Sequence, residues 1–183
     1  MNEWGFIVAA YLLGSVAFGI VVSKLFGLPD PRTVGSGNPG ATNVMRSGKK
    51  AAAVLTLLGD AGKGGLAVFL GHLYPVFYGF QGGKGVATVA GILFALSLWL
   101  GASVMATWAL AFFMWRVSSL SALIAAGFAP VYAAAVFGFN LLTGTVLVLS
   151  ALLVWRHQSN IRKLLDGTEA GFGKPKPGDQ PPG

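Results

Sequence analysis

Three polar segments hold most of the side chains able to do chemistry in this sequence. The first is GSGNPGATN, Gly35 to Asn43, followed by Arg46. Gly35 and Gly37 can turn their amides inward and admit a ligand close to the backbone, and such concave nests bind anions. Ser36, Asn38, Thr42 and Asn43 add uncharged hydrogen-bonding groups, and Arg46 adds a fixed fork suited to phosphate. Gly35 and Gly40 have the spacing of a nucleotide-binding P-loop, but Ala41 stands where its lysine belongs, so that reading is excluded. The second segment is Gly82, Gly83, Lys84 and Gly85, with Thr88 beyond it. A helix starting near Gly85 aims its positive dipole end back at this loop, and Lys84 supplies a point charge. The third is RHQSNIRK, Arg156 to Lys163, in which His157 and Asn160 share a helical face. The first segment suits a phosphate-sized anion better than a plain connector. The second holds an anion or is an ordinary basic cap on a membrane helix. In the third, Arg156 and Lys163 read as interfacial anchors, with His157 the group harder to explain that way.

The elements that must position them are membrane helices. Only 10% of the 183 residues are charged and 54% are hydrophobic, and mean hydropathy is +0.68. A soluble domain carries about a quarter charged residues, so an ordinary soluble enzyme is excluded. Charge-free stretches run over Trp4–Ser23, Gly85–Trp115 and Val117–Trp155, of 20, 31 and 39 residues. One span needs about 20 apolar residues, so the last two stretches each accommodate a pair of somewhat short spans. The sequence predicts an all-α, polytopic membrane protein with about five to seven transmembrane or re-entrant helices. One membrane domain covers residues 1–173, and the proline-rich tail 174–183 is expected to be disordered. The net charge of +7 marks cytoplasmic loops rather than a nucleic-acid face. Arg32, Arg46, Lys49 and Lys50 put the first polar segment inside and the N-terminus outside; Arg156, Arg162 and Lys163 put the C-terminus inside. With no cysteine, two histidines and six scattered carboxylates, neither thiolate chemistry nor a metal cage is expected.

Helix one is expected over about Trp4–Phe26 and a second from about Ala51, with a fold-back at Ser97–Gly101, turns at Arg116–Ser121 and Gly138–Thr143, and a last helix over Leu142–Trp155. Asp60 and Lys63, spaced i, i+3 within an apolar segment, are expected to pair with each other or face a polar cavity, because each charge costs about 2.5–3.5 kcal/mol at the membrane centre. His72 reads as a polar group at a helix end. If both glycine loops face the cytoplasm, the 31 residues between Lys50 and Gly82 must cross an even number of times. They supply about 46 Å of helix, too short for two crossings. The segment is then a re-entrant pair of half-helices hinged around Gly59–Gly71, or one loop lies at another depth.

Taken in order, these motifs resemble the bacterial acyl-phosphate:glycerol-3-phosphate acyltransferases of the PlsY type. The resemblance rests on Ala10–Ser15, Leu28–Arg46, Leu57–Gly64, Gly71–Phe77, Gly82–Thr88, Ser118–Leu120 and Trp155–Ile161, nearly the whole chain except the tail. It implies a multi-pass protein of the bacterial inner membrane, with the N-terminus outside and three cytoplasmic motifs. The implied reaction transfers an acyl group from acyl phosphate to glycerol 3-phosphate, giving lysophosphatidic acid and phosphate without a cofactor. The soluble enzyme that makes acyl phosphate is an implied partner. By position, Ser36 and Arg46 are implied as activity-critical, Asn38 and Asn43 as lining the site, Gly82–Gly85 with Lys84 as the glycerol 3-phosphate loop, His157 and Asn160 as near the reacting centre, and Glu169 as structural. The sequence departs from the family in two places. About twenty residues usually found between Asp60–Gly64 and Gly71 are missing, leaving six spans, or five and a re-entrant piece, instead of seven. Gln81 stands where a basic residue usually precedes the second loop.

Acyl phosphate carries its own leaving group, so no covalent enzyme nucleophile is needed. Ser36, His157 and Asn160 are expected to orient the reactants, with His157 or a substrate phosphate oxygen as the base. The competing readings are a transporter or channel for a phosphorylated solute, against which no internal repeat is visible and the basic motifs gather on one face, and an inactive shortened family member.

Overall fold

In the computed structural model, residues 3–61 and 66–172 are described, and all regular structure among them is helical. Lys63 and the tail 174–183, for which an ion pair and disorder were expected, lie outside these residues. The helices are α1 (Glu3–Gly14), α2 (Phe18–Leu25), α3 (Ala41–Met45), α4 (Lys50–Ala61), α5 (Leu66–Leu73), α6 (Val86–Leu96), α7 (Leu98–Trp115), α8 (Ser118–Phe137), α9 (Leu141–Arg156) and α10 (Gln158–Leu165). They fall into two compact units, residues 1–101 and 102–183.

In the first unit, the helix expected over Trp4–Phe26 is broken. Helices α1 and α2 meet at 47°. The cause is local: Ser15 turns its hydroxyl back to the Tyr11 carbonyl at 2.9 Å and also accepts the Val76 amide at 3.4 Å, while Ala17 is extended. Tyr11 donates its hydroxyl to the Tyr74 carbonyl at 2.7 Å, so the break is tied to the turn after α5. Helices α1 and α5 pack backbone to backbone, since a Cβ on Gly14 would strike the Val68 carbonyl and one on Gly71 the Tyr11 carbonyl. Helix α4 packs against α2, α3 and α6, its Ala52 and Ala53 closing a core with Val22 and Val44.

Helices α4 and α5 have 12 and 8 residues, about 18 and 12 Å at 1.5 Å per residue. Neither alone spans a hydrocarbon layer about 30 Å thick, and residues 62–65 between them lie outside the described ones. Helix α6, 11 residues long, ends where Ser97 turns extended, and α7 begins at Leu98.

In the second unit, α7 and α8 are each long and apolar enough to span. Helices α8 and α9 form a hairpin lined on α8 by buried Ala122, Ala125, Ala129 and Ala133. Its turn is capped by Asn140, which accepts the Leu142 and Thr143 amides at 2.9 and 3.2 Å. Helix α10 bends from α9 by 59° at His157. The chain then returns to α7, where the Phe172 amide donates to the Arg116 carbonyl at 2.7 Å and the Phe172 ring meets Phe112 edge-on.

Candidate functional site

The first glycine loop is organised around the side chain of Asn43, which is buried. Its Nδ2 donates to the carbonyls of Pro31 and Val34 at 2.6 and 3.0 Å, and its Oδ1 accepts the Ser36 amide at 3.0 Å. Gly35 and Gly37 have φ of 58° and 68°, the left-handed region that favours glycine. A Cβ on Gly35 would fall on Asn43 Oδ1, so the polar turn requires glycine there. Asn38 sits over Gly40, leaving no room for a Cβ, and the Pro39 carbonyl seats against Gly19 of α2. Ser36 and Arg46 are exposed at the loop surface. Asn43, expected to line the site, thus has both ends of its amide engaged in shaping the loop.

Ahead of this loop Arg32 forks onto Asp30, its NH2 at 2.7 Å from Oδ2 and its Nε at 3.1 Å from both oxygens. That side-chain hydrogen bonding holds the Asp30 carboxyl below its ordinary value. The guanidinium also lies 5.8 Å from the centroid of the Tyr78 ring, linking the first loop to the turn that leads into the second.

The second loop lies on α5. Gly83 donates its amide to the His72 carbonyl at 3.2 Å, and a Cβ on Gly83 would strike His72 Nε2. A Cβ on Gly82 would strike the His72 carbonyl, and one on Gly85 the ring of Phe69. Gly85, at φ 78°, is the N-cap of α6, so the helix begins directly behind Lys84, as the sequence predicts. Thr88 is fully buried, and its Oγ1 has no hydrogen-bond partner among the described residues. Asp60, from α4, lies 3.5 Å from His72 Nδ1, with the two side chains 2% and 5% exposed. The described partner of Asp60 is thus a histidine that the sequence reading left as a helix-end group.

In the second unit His157 is buried at the α9–α10 junction, its Nδ1 2.8 Å from the Leu153 carbonyl. Facing a carbonyl, Nδ1 carries the proton, which leaves Nε2 as the basic nitrogen. Asn160 donates Nδ2 to Glu169 Oε1 at 2.7 Å, and the same oxygen accepts the Ser119 hydroxyl at 2.5 Å. Asn160 Oδ1 is buried with no hydrogen-bond partner among the described residues, an acceptor that a native interior seldom leaves unused. Glu169 therefore joins the start of α8 to α10. Ser119 was missed because a serine at a helix start carries no signal of a partner fifty residues away.

The family model for glycerol-3-phosphate acyltransferase matches residues 4–167. The glycerol-3-phosphate acyltransferase of Methylobacillus flagellatus is 59% identical, with 95% of this chain and 99% of that protein covered. That of Thiobacillus denitrificans is 54% identical, covering 92% and 96%. Crystal structures of PlsY, an integral membrane glycerol 3-phosphate acyltransferase, are similar in fold. The glycerol 3-phosphate form has TM-score 0.86 and 40% identity over 91% of this chain and 94% of that one. The lysophosphatidic acid form has TM-score 0.84 and 39% identity over 91% and 93%. The Methylobacillus match runs over 194 positions but uses 95% of 183 residues here, about 174, so about twenty positions have no counterpart. That equals the shortfall expected before Gly71.

Proposed function

The chain belongs to the glycerol-3-phosphate acyltransferase family, and from that premise we propose that it acylates glycerol 3-phosphate with acyl phosphate, releasing lysophosphatidic acid and phosphate. The observation that carries this reading is the 40% identity, over nine-tenths of both chains, to PlsY in its glycerol 3-phosphate form. The two glycine loops, kept intact beside Arg46 and Lys84, support it.

The glycerol 3-phosphate hydroxyl oxygen attacks the acyl carbon, the bond from that carbon to the phosphate oxygen breaks, and phosphate leaves with the electron pair. Arg46, Lys84 and the loop amides offset the charge of two phosphate groups and the developing oxyanion. Holding the hydroxyl against the acyl carbon converts a bimolecular step into an intramolecular one. The hydroxyl proton goes to His157 Nε2 or to a substrate phosphate oxygen. Asn160 Oδ1, held by the Glu169 contact, accepts the hydrogen bond that orients the hydroxyl, while Ser36 at the first loop orients the acyl phosphate. The motifs face the cytoplasm, the N-terminus lies outside, and the acyl chain lies against apolar helix surface.

Purified protein given palmitoyl phosphate and glycerol 3-phosphate tests the reading, with phosphate release measured. Release that requires the acceptor, with lysophosphatidic acid formed in equal amount, is expected. Donor hydrolysis independent of acceptor, or no turnover, overturns it. The missing positions favour one other reading, an inactive shortened member, and absence of turnover with tight glycerol 3-phosphate binding would mark that case.

A further inference from the structure

Asp60 and His72 take no part in the chemistry above, yet they are among the most buried polar side chains described. Burying a carboxylate costs several kcal/mol unless it is well partnered. This pair lies in helices that are each too short to cross a membrane. Its place is beneath the second loop. The His72 carbonyl takes the Gly83 amide at 3.2 Å, and the imidazole edge carrying Nε2 fills the space where a Gly83 side chain would stand. The opposite ring nitrogen, Nδ1, faces Asp60 at 3.5 Å. One residue therefore meets the loop through both backbone and ring, and its ring is oriented from α4. Helix α4 also packs on α3, which carries the C-terminal end of the first loop.

We propose that Asp60 and His72 are positioning residues for glycerol 3-phosphate: Asp60 fixes the His72 ring, and His72 fixes the height and turn of Gly82–Gly83 and so the reach of Lys84. The pair acts through the loop and does not touch the reacting atoms. The inference rests on the acyl transfer proposed above.

The test is a comparison of steady-state constants and calorimetric glycerol 3-phosphate binding for the wild type, Asp60→Asn, His72→Leu and His72→Asn. The wild type must bind and turn over glycerol 3-phosphate; if it does neither, the functional reading falls and this inference with it. With an active wild type, D60N and H72L should raise KM and Kd for glycerol 3-phosphate about tenfold, the scale of a displaced positioning group. Turnover should stay within about threefold and KM for acyl phosphate within about twofold. H72N, whose amide can donate from nearly the position of Nδ1, should recover most of the affinity. A loss confined to turnover, equal rises in both KM values, or an H72N no better than H72L overturns the proposal. Should the Asp60 and His72 variants not fold, the wild type and Gly83→Ala decide it. G83A, which pushes on the ring, should weaken glycerol 3-phosphate binding selectively, and unchanged affinity there overturns the assignment.

Discussion

Asn43 shows how far one side chain can set a loop. It satisfies two carbonyls and one amide that belong to residues seven to twelve positions earlier, so removing it strands three buried or half-buried polar groups. Asn43→Ala should cost about 2–3 kcal/mol, since each stranded group costs about 1–3 kcal/mol and the loop can partly relax. Asn43→Asp should fare little better, because a carboxylate accepts the Ser36 amide but cannot donate to Pro31 or Val34. Thermal unfolding in detergent would check both, and an N43D as stable as wild type would refute the donor assignment. Lys84 has a different role. In the proposed transfer it supplies charge to glycerol 3-phosphate, so Lys84→Met should raise KM for that substrate by about 10–100-fold, the scale of a hydrogen bond to a charged group, with turnover less affected. Asp30 gives the first loop one pH-dependent contact, its pair with Arg32. Its folded value lies below the ordinary 3.8, so its contribution is fully present above about pH 4–5 and is lost as pH falls through the lowered value. The pair with Arg32 is about a third exposed, which limits it to about 1 kcal/mol or less. The melting difference between wild type and Asp30→Asn, present at pH 7, should shrink towards pH 3.

At the scale of elements, what the sequence made legible was local, and what it concealed was long-range. Gly85 ends one loop and starts α6 because a glycine with positive φ precedes a good apolar run; the turn before α9 follows from Gly138 and Asn140 alone. The 31-residue interval between Lys50 and Gly82 is too short for two full crossings, and the two short helices found there agree with that length. The break at Ser15 was not legible, since Ser15 sits in an unbroken apolar run and its reason to interrupt the helix is Val76, sixty-one residues later. The contact of Asp60 with His72 was hidden in the same way: periodicity nominates Lys63, which lies outside the described residues, and gives no pointer to His72 on the next helix. Glycine composition likewise does not say which glycines touch backbone. Gly71 does, against the Tyr11 carbonyl, and it lies on the helix that carries His72. Gly71→Ala should therefore push α5 off α1, costing about 1–3 kcal/mol as overpacking does, and should weaken glycerol 3-phosphate binding as well. Gly127→Ala, where a Cβ meets open space, is the matched control and should be neutral or slightly stabilising. Melting temperatures of the two purified variants separate a packing role for Gly71 from the general cost of replacing a helical glycine.

For the whole molecule the decisive quantity is the side of the membrane on which each basic segment lies. Arg46 and Lys49 precede α4 and Lys50 opens it, while Arg156 ends α9 and Arg162 and Lys163 lie in the last turn of α10; both clusters should stay in the cytoplasm. An N-terminus outside and a C-terminus inside require an odd number of crossings. Among the described residues, α7, α8 and the bent α1–α2 and α9–α10 pairs are each long and apolar enough for one crossing, so an odd total needs one more from the stretch α4–α6. The chain has no cysteine, which makes single-cysteine labelling clean. Trp4→Cys, Ser47→Cys and Ser159→Cys, treated with a membrane-impermeant maleimide, should divide by side. In spheroplasts Trp4→Cys should react at once, whereas the other two should react only after permeabilisation. If Ser47→Cys and Ser159→Cys reacted from opposite sides, the first loop and the His157–Asn160 segment could not serve one acyl phosphate, and the proposed transfer would fail on topology before any kinetics were measured.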